Sequence, residues 1–272
     1  MVKYREIYCK SILNKSGIIG IDYALNPYIG CEHKCRYCYA IFMKRFTDHC
    51  ESWGEFVDIK INAPDVLRDQ IKKLQKKCHI SFGTVCDPYQ PVEFKYEITR
   101  DCLEMLRYFG HKISILTKSQ LVVRDIDLIK KIKEIEIGFT ITTLDKKIKE
   151  IFEPNSPPVS DRLDALKNIS RHNIATWVFV APILPYITDS SDALIELIKM
   201  VEDAGALSIS FDTLNPYPNV WHNVFELIKK YFPELTAAYN YYYSNKTQYE
   251  KELKRKIIEI GKDFQIKIDF AF

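Results

Sequence analysis

The sequence predicts a parallel α/β fold. Three features carry that prediction: β-branched runs alternate with amphipathic helical stretches, the order repeats through most of the 272 residues, and polar residues gather at one end of the runs. The first strand is expected over Ile21–Asn26. A helix over about Asp65–Lys77 follows, where Leu67, Ile71 and Leu74 recur at helical spacing, and then a strand over His79–Val85 around Ile80 and Phe82. The same alternation predicts a helix over Glu97–Phe109, a strand over Lys112–Thr117, a helix over Asp125–Ile135 and a strand over Ile137–Thr143. Pro154, Pro157 and Pro158 mark a loop. Beyond them come a helix over about Asp161–His172, a strand over Thr176–Ala181, a helix over Ser191–Ala204 and a strand over Leu207–Phe211, the sixth. Right-handed crossovers then require a parallel sheet, either open or curled into a full or partial barrel.

One end of these strands is chemically distinct. Cys86 and Asp87 follow the second strand, Lys118 and Ser119 the third, Thr142 and Thr143 end the fourth, and Asp212 and Thr213 follow the sixth. In a parallel α/β barrel the strand C-termini and their loops form the active face. After Asn215 the rhythm stops: Pro216, Pro218 and Pro233 divide a helical region, including a helix over about Tyr239–Gly261, and Ile266–Phe272 is a last apolar segment. Residues 1–213 are thus expected to form the barrel, and 214–272 a helical extension packed on it.

Composition narrows the function classes. Hydrophobic residues at 47% and charged residues at 28% are ordinary globular usage, which excludes collagen-like, coiled-coil and disordered chains. The net charge of +3 is too small for a dedicated duplex-DNA binder, so any nucleic-acid site must be a local patch. No apolar run reaches the roughly 20 residues of a membrane helix, and the start, MVKYREIYCK, lacks a signal-peptide core, so a cytoplasmic location is expected.

Three of the eight cysteines crowd into the stretch Asn26–Ala40, NPYIGCEHKCRYCYA, as C-x3-C-x2-C. A structural zinc site would need a fourth ligand from His33, His49 or Cys50, none at a standard spacing. An iron–sulfur cube held by three thiolates, with one iron open, suits the set better.

The pattern Cys31, Cys35 and Cys38 after a first strand, with Tyr37 just before the last cysteine, resembles the signature of radical S-adenosylmethionine (SAM) enzymes. The segments SFGTVCDPYQPVE, LTKSQLVVRDIDLI, TITTLD, EPNSPPVSDRLDAL and VAPILPYITD further resemble the spore photoproduct lyase-like branch. That resemblance, over about Ile21–Phe211, implies a partial (β/α)6 barrel. It also implies a 4Fe-4S cluster on Cys31, Cys35 and Cys38, SAM on the fourth iron, and a reductant such as flavodoxin or ferredoxin. Electron transfer to SAM would release a 5′-deoxyadenosyl radical that takes hydrogen from a substrate.

By the same resemblance Tyr37 and Tyr39 would flank the adenine and Lys118 would meet the SAM carboxylate. Thr142, Thr143 and Ala181 would complete the cofactor set, core packing being the alternative for the tyrosines and threonines. The lyases carry a cysteine that returns hydrogen to the product. Counted from Asp87 it falls on Thr84, so Cys86 is displaced by two residues, about 7 Å along a strand, and is either that donor or core filler. A nucleic-acid base is one substrate class, with Tyr241, Tyr242, Tyr243, Lys246 and Lys254–Lys256 as the candidate patch, although a helix packed by its tyrosines with a solvated charged face is the favoured reading of that stretch. A small molecule or peptide is the other, and a non-enzymatic metal-stabilised module is a third reading.

Overall fold

The computed structural model describes residues 2–272. The chain begins with β1 (Lys3–Ile7) and β2 (Leu13–Lys15), then the first expected strand, β3 (Tyr23–Leu25). The short strands β4 (Tyr28–Ile29) and β5 (Phe56–Lys60) bracket the cysteine loop and a 3-10 helix, Tyr39–Phe46. The alternating unit follows as α1 (Ala63–Ile71), β6 (His79–Phe82), α2 (Glu93–Tyr96), α3 (Ile98–Leu106), β7 (Lys112–Thr117), α4 (Ile126–Ile129) and β8 (Ile135–Thr140). It continues through α5 (Lys146–Phe152), α6 (Val159–Arg171), β9 (Ala175–Ile183), α7 (Ser191–Asp203) and β10 (Ser208–Thr213). The C-terminal extension adds α8 (Pro218–Tyr231), α9 (Thr236–Gly261) and β11 (Lys267–Phe270).

The six expected strands lie in one sheet in the order β3, β6, β7, β8, β9, β10, each parallel to its neighbour. β2 pairs antiparallel with β3 at one edge and β11 parallel with β10 at the other, so the sheet has two ends and forms a partial barrel. A second sheet, β1–β5–β4, carries the cysteine loop between two of its strands and escaped the sequence reading. Its strands are short, and β5 is buried along its whole length, which leaves no alternating pattern to read.

Register gives the main sheet two unlike faces. Phe82, Ile115 and Ile137 lie side by side across three strands, as do Phe139, Val178 and Ile209, all 0% exposed. Each such side chain contributes roughly 1.5–3 kcal/mol on burial, and this row is the main core. The opposite face places Ser81 beside Ser114 and Leu116 beside Gly138, with Trp177 next, and forms the concave side of the partial barrel. Among the described residues no helix is long and apolar enough to cross a membrane.

The helix expected over Glu97–Phe109 is α3; Glu97 precedes it at φ +53°, and the buried Glu93 carboxylate caps its first turn by accepting the Thr99 amide at 2.9 Å and the Arg100 amide at 3.3 Å. A second predicted helix is shortened. The helix expected over Asp125–Ile135 is the single turn α4 after a 3-10 segment, Gln120–Asp125. Ile135 and Ile137 alternate with Glu136 and enter β8 instead.

Gly83 leaves β6 at φ +87°, with the Leu116 carbonyl where a Cβ would lie. Gly83→Ala is therefore expected to destabilise the fold by more than about 1 kcal/mol in urea unfolding, whereas Gly17→Ala, with open space around it, should change it by less than about 0.5 kcal/mol. Equal effects at the two positions would contradict the packing described.

Candidate cofactor site

The cysteine loop is fastened on every side. The Lys34 amide donates to the Cys31 carbonyl at 3.4 Å and the Cys38 amide to the Cys35 carbonyl at 3.2 Å, folding the loop on itself. Glu32 anchors it outward: its amide donates to Gln90 Oε1 at 3.0 Å, while its carboxylate accepts Tyr4 Oη at 2.6 Å and the Val92 amide at 2.7 Å. Asn155 reaches in from the loop after α5, Nδ2 donating to the Glu32 carbonyl at 3.1 Å, and the Arg36 amide donates to the Phe152 carbonyl at 2.8 Å. Segments more than a hundred residues apart thus hold one short loop.

Cys31 is buried beside Ala40, Trp53 and Phe56, and Cys35 and Cys38 are half-buried. Burial pushes all three thiols up, Cys35 to about 12, with Lys118 pulling Cys35 and Cys38 the other way. Among the described residues no three His, Cys, Asp or Glu side chains close on a single metal ion. An iron–sulfur cube makes a different demand, since each thiolate meets its own iron. His33 Nε2, buried beside this loop, has no hydrogen-bond partner among the described residues, and the buried Trp53 indole N–H meets no oxygen or nitrogen acceptor there but faces the Cys38 thiol. Such groups are costly unless something meets them, and sulfur acceptors beside the three thiols fit the indole N–H.

Asp87 and Glu153 organise the surroundings. Asp87 accepts Thr117 Oγ1 at 2.6 Å and the amides of Lys118 at 2.7 Å and Tyr89 at 2.9 Å, and faces His33 Nδ1 at 3.3 Å. Burial works against its charge, yet His33, Thr117 and the Lys118 amide hold the carboxyl at about 2. Glu153 is wholly buried and accepts hydrogen bonds from Tyr37 Oη, from Thr142 Oγ1 at 2.8 Å, from Ser156 Oγ at 3.0 Å and from the Arg162 guanidinium. Burial opposes ionisation there too, but Arg162 and Lys118 outweigh it and hold the carboxyl well below its ordinary range. Arg162, itself 0% exposed, also donates to the Thr140 carbonyl at 2.9 Å.

The expected cofactor-binding residues separate into groups. Lys118 stands with its ammonium 5.8 Å from the Tyr37 ring centroid, half-buried, and among the described residues it forms no ion pair. Burial lowers its affinity for the proton, but Cys35 and Glu153 more than restore it. Alternation along β7, β9 and β10 carries Lys118, Ala181 and Asp212 onto the concave face, opposite Ile115, Val180 and Phe211. Tyr39 is 45% exposed at the mouth, its hydroxyl donating to the Thr84 carbonyl. The hydroxyls of Tyr37 and Thr142 are occupied by Glu153, while Thr143 Oγ1 accepts the Asp145 amide at 3.0 Å at the start of α5. Thr142 and Thr143 also border a cavity of about 600 Å³ with Tyr186, Asp192 and Phe232, which none of the cysteines lines.

Cys86 is 5% exposed in the main core, its thiol 3.7 Å from Asn26 Oδ1 and pushed by burial to about 12. The tyrosine-rich patch divides: Tyr242 is buried, Lys246 pairs with Glu250, Lys256 donates to the Asp189 carbonyl at 2.9 Å, and only Tyr241 and Tyr243 of the three consecutive tyrosines are exposed. Sequence reasoning did not single out Glu153, Arg162 or Asn155. All three lie in or beside EPNSPPVSDR, whose charged residues bracket a proline loop.

Comparison with known proteins agrees with this architecture. An uncharacterised protein of Methanocaldococcus jannaschii is 39% identical over 184 residues, covering 68% of this chain and 69% of its own. Uncharacterised mycobacterial proteins are 30% identical over 218 residues, 77% of this chain but only 64% of theirs. A radical SAM Nalpha-GlyT isomerase of Pseudomonas phage M6 is 23% identical over 167 residues, 61% of this chain and 34% of the isomerase. Spore photoproduct lyase complexed with dinucleoside spore photoproduct superposes with a TM-score of 0.73 at 14% identity, over 99% of this chain and 82% of the lyase, and so shares the fold. The description "Radical SAM superfamily" matches residues 25–201, from the end of β3 through most of α7, and with the cysteine loop and partial barrel inside that span the chain belongs to the radical SAM superfamily.

Proposed function

We propose that this radical SAM enzyme acts on a base of a nucleic acid, with Cys31, Cys35 and Cys38 as the ligands of a 4Fe-4S cluster. The observation that carries the cluster assignment is the three-thiol loop, anchored from both chain directions, with the Lys118 ammonium over the Tyr37 ring and the Trp53 indole packed among its cysteines. When bound and reduced by an electron donor, cluster and SAM together supply reductive cleavage to a 5′-deoxyadenosyl radical, which removes a hydrogen atom from substrate.

The chain's own residues do the rest. Lys118 offers its charge to the SAM carboxylate from the concave face, and Glu153 holds the Tyr37 ring against that lysine. Tyr39, at the mouth, would meet the adenine, and Ala181, small and on the concave face, would leave room for the cofactor beside β9. Residues 1–213 form the barrel that carries the chemistry, and 214–272 pack α9 against α7 and add β11 beside β10. Cys86, packed among core side chains, fills space. The nucleic-acid reading draws on a similar protein, the spore photoproduct lyase seen with a dinucleoside spore photoproduct.

Anaerobically reconstituted protein is expected to carry about four irons per chain and to release 5′-deoxyadenosine on reduction with SAM. Deuterium should pass into that product from a perdeuterated-thymine oligonucleotide. Cys35→Ala should abolish cleavage, and Cys86→Ala should leave the product distribution unchanged. Cleavage without deuterium transfer from any oligonucleotide would remove the nucleic-acid substrate, and full turnover by Cys35→Ala would remove the cluster assignment. Lys118→Ala is expected to raise the Kd for SAM by about tenfold with iron content unaltered, the loss of one charge-assisted hydrogen bond. An unchanged Kd would take Lys118 out of the site.

A further inference from the structure

The 3-10 helix Tyr39–Phe46 begins at Cys38 and presents an unusual surface. Runs of this kind longer than three or four residues are uncommon, and their side chains at i and i+3 eclipse. Tyr39, Phe42 and Arg45 therefore form one column. The rings of Tyr39 and Phe42 are 6.3 Å apart at 23° between planes, and the Arg45 guanidinium lies 5.5 Å from the Phe42 centroid and 4.6 Å from that of Phe46. Phe46 is 62% exposed and Phe42 37%, on a segment with two basic residues, Lys44 and Arg45, and no acidic one. Exposed aromatics this close together are not explained by packing. The column starts at Tyr39, whose hydroxyl donates to the Thr84 carbonyl just beyond the end of β6.

We propose that this aromatic–basic ridge binds single-stranded nucleic acid and leads a base into the barrel mouth. Aromatic faces accept bases of any identity, and Lys44 and Arg45 meet the phosphates beside them. This inference rests on the nucleic-acid reading above and says where the strand lies. The modest net charge of the chain is no obstacle, because the positive charge is local.

The test is fluorescence anisotropy with a labelled oligothymidylate over a range of salt concentrations. Phe42→Ala and Phe46→Ala are each expected to weaken binding by about tenfold, and Arg45→Ser to flatten the logarithmic salt dependence by about one phosphate contact, with circular dichroism unchanged. If the unaltered protein binds no oligonucleotide, the nucleic-acid reading itself falls. If it binds and the ridge variants bind equally well, the strand lies elsewhere and only the ridge proposal is lost. Intact binding with slower reduction of the cluster by flavodoxin would make the ridge a docking face for an acidic redox protein and overturn the proposal.

A separate observation concerns Trp53. Its indole N–H is buried with no oxygen or nitrogen acceptor among the described residues and faces the Cys38 thiol, in a small apolar cluster with Cys31, Ala40 and Phe56 against which Cys38 packs. We infer that Trp53 Nε1 donates a hydrogen bond to a sulfur of the cluster held by these cysteines, which makes Trp53 a positioning residue that favours the reduced state. This rests on the cluster assignment. Trp53→Phe in reconstituted protein is expected to make the reduction potential more negative, so that the reduced-to-oxidised ratio at a fixed potential falls by about threefold to tenfold. Replacing Trp53 by benzothienylalanine, which keeps the shape and lacks the N–H, should do the same at unchanged iron content and melting temperature. An unaltered potential in both would overturn the inference, while failure to take up iron in the unaltered protein would fall on the cluster assignment instead.

Discussion

The buried Glu153–Arg162 pair is the interaction on which the site depends. A carboxylate removed from water is tolerated only with charge and hydrogen bonds around it, and Glu153 has both: Arg162 behind it, Ser156 beside it, and the hydroxyls of Tyr37 and Thr142 in front. Through those two hydroxyls one side chain fixes the cysteine loop to the end of β8. Removing either member of such a pair costs about 3–5 kcal/mol, because the survivor stays buried and unpaired. The price is a site that cannot be assembled piecemeal, since Glu153 is positioned by α5 and α6 and serves a loop more than a hundred residues earlier.

Asp87 plays the corresponding role on the other flank. It lies between His33 of the cysteine loop and the end of β7, fixing the backbone of Lys118 through one oxygen and Thr117 through the other. The ammonium of Lys118 is thereby held over the Tyr37 ring while its charge remains uncommitted. Two carboxylates taken up by the scaffold thus leave one cation available, the distribution that an anionic group of a ligand requires.

The second sheet explains how the loop is kept rigid without regular structure of its own. β1 and β4 flank β5, the Arg5 guanidinium donates to Asp58, and His49 Nε2 lies 2.8 Å from the same carboxylate. Gly30 enters the loop at φ +93°, and a Cβ there would strike the Phe56 carbonyl, so only glycine suits the position. The loop is thus pressed onto a small frame, and the main sheet is free to carry the concave face.

Alternation and spacing made most of the barrel legible. The six strands, their parallel order and the polar residues at their C-terminal ends follow from a period of two against a period near 3.6, a property each segment carries alone. The three-cysteine motif is likewise local, because a short loop must supply all three thiols. Where reading failed, the cause lay in packing: the helix expected over Asp125–Ile135 shrinks to one turn because Ile135 and Ile137 join β8, and β5 is buried on both faces so that it shows no alternation. The partners of the cysteines were invisible for the same reason. Glu153, Arg162 and Asn155 are ordinary polar residues in their own neighbourhood, and the helix carrying Tyr241–Tyr243 reads either as a nucleic-acid patch or as one packed by its tyrosines until packing buries Tyr242 and leaves Tyr241 and Tyr243 exposed. Sequence determines what each segment prefers locally, whereas which buried charge meets which partner is decided only when segments far apart in the chain are brought out of water together.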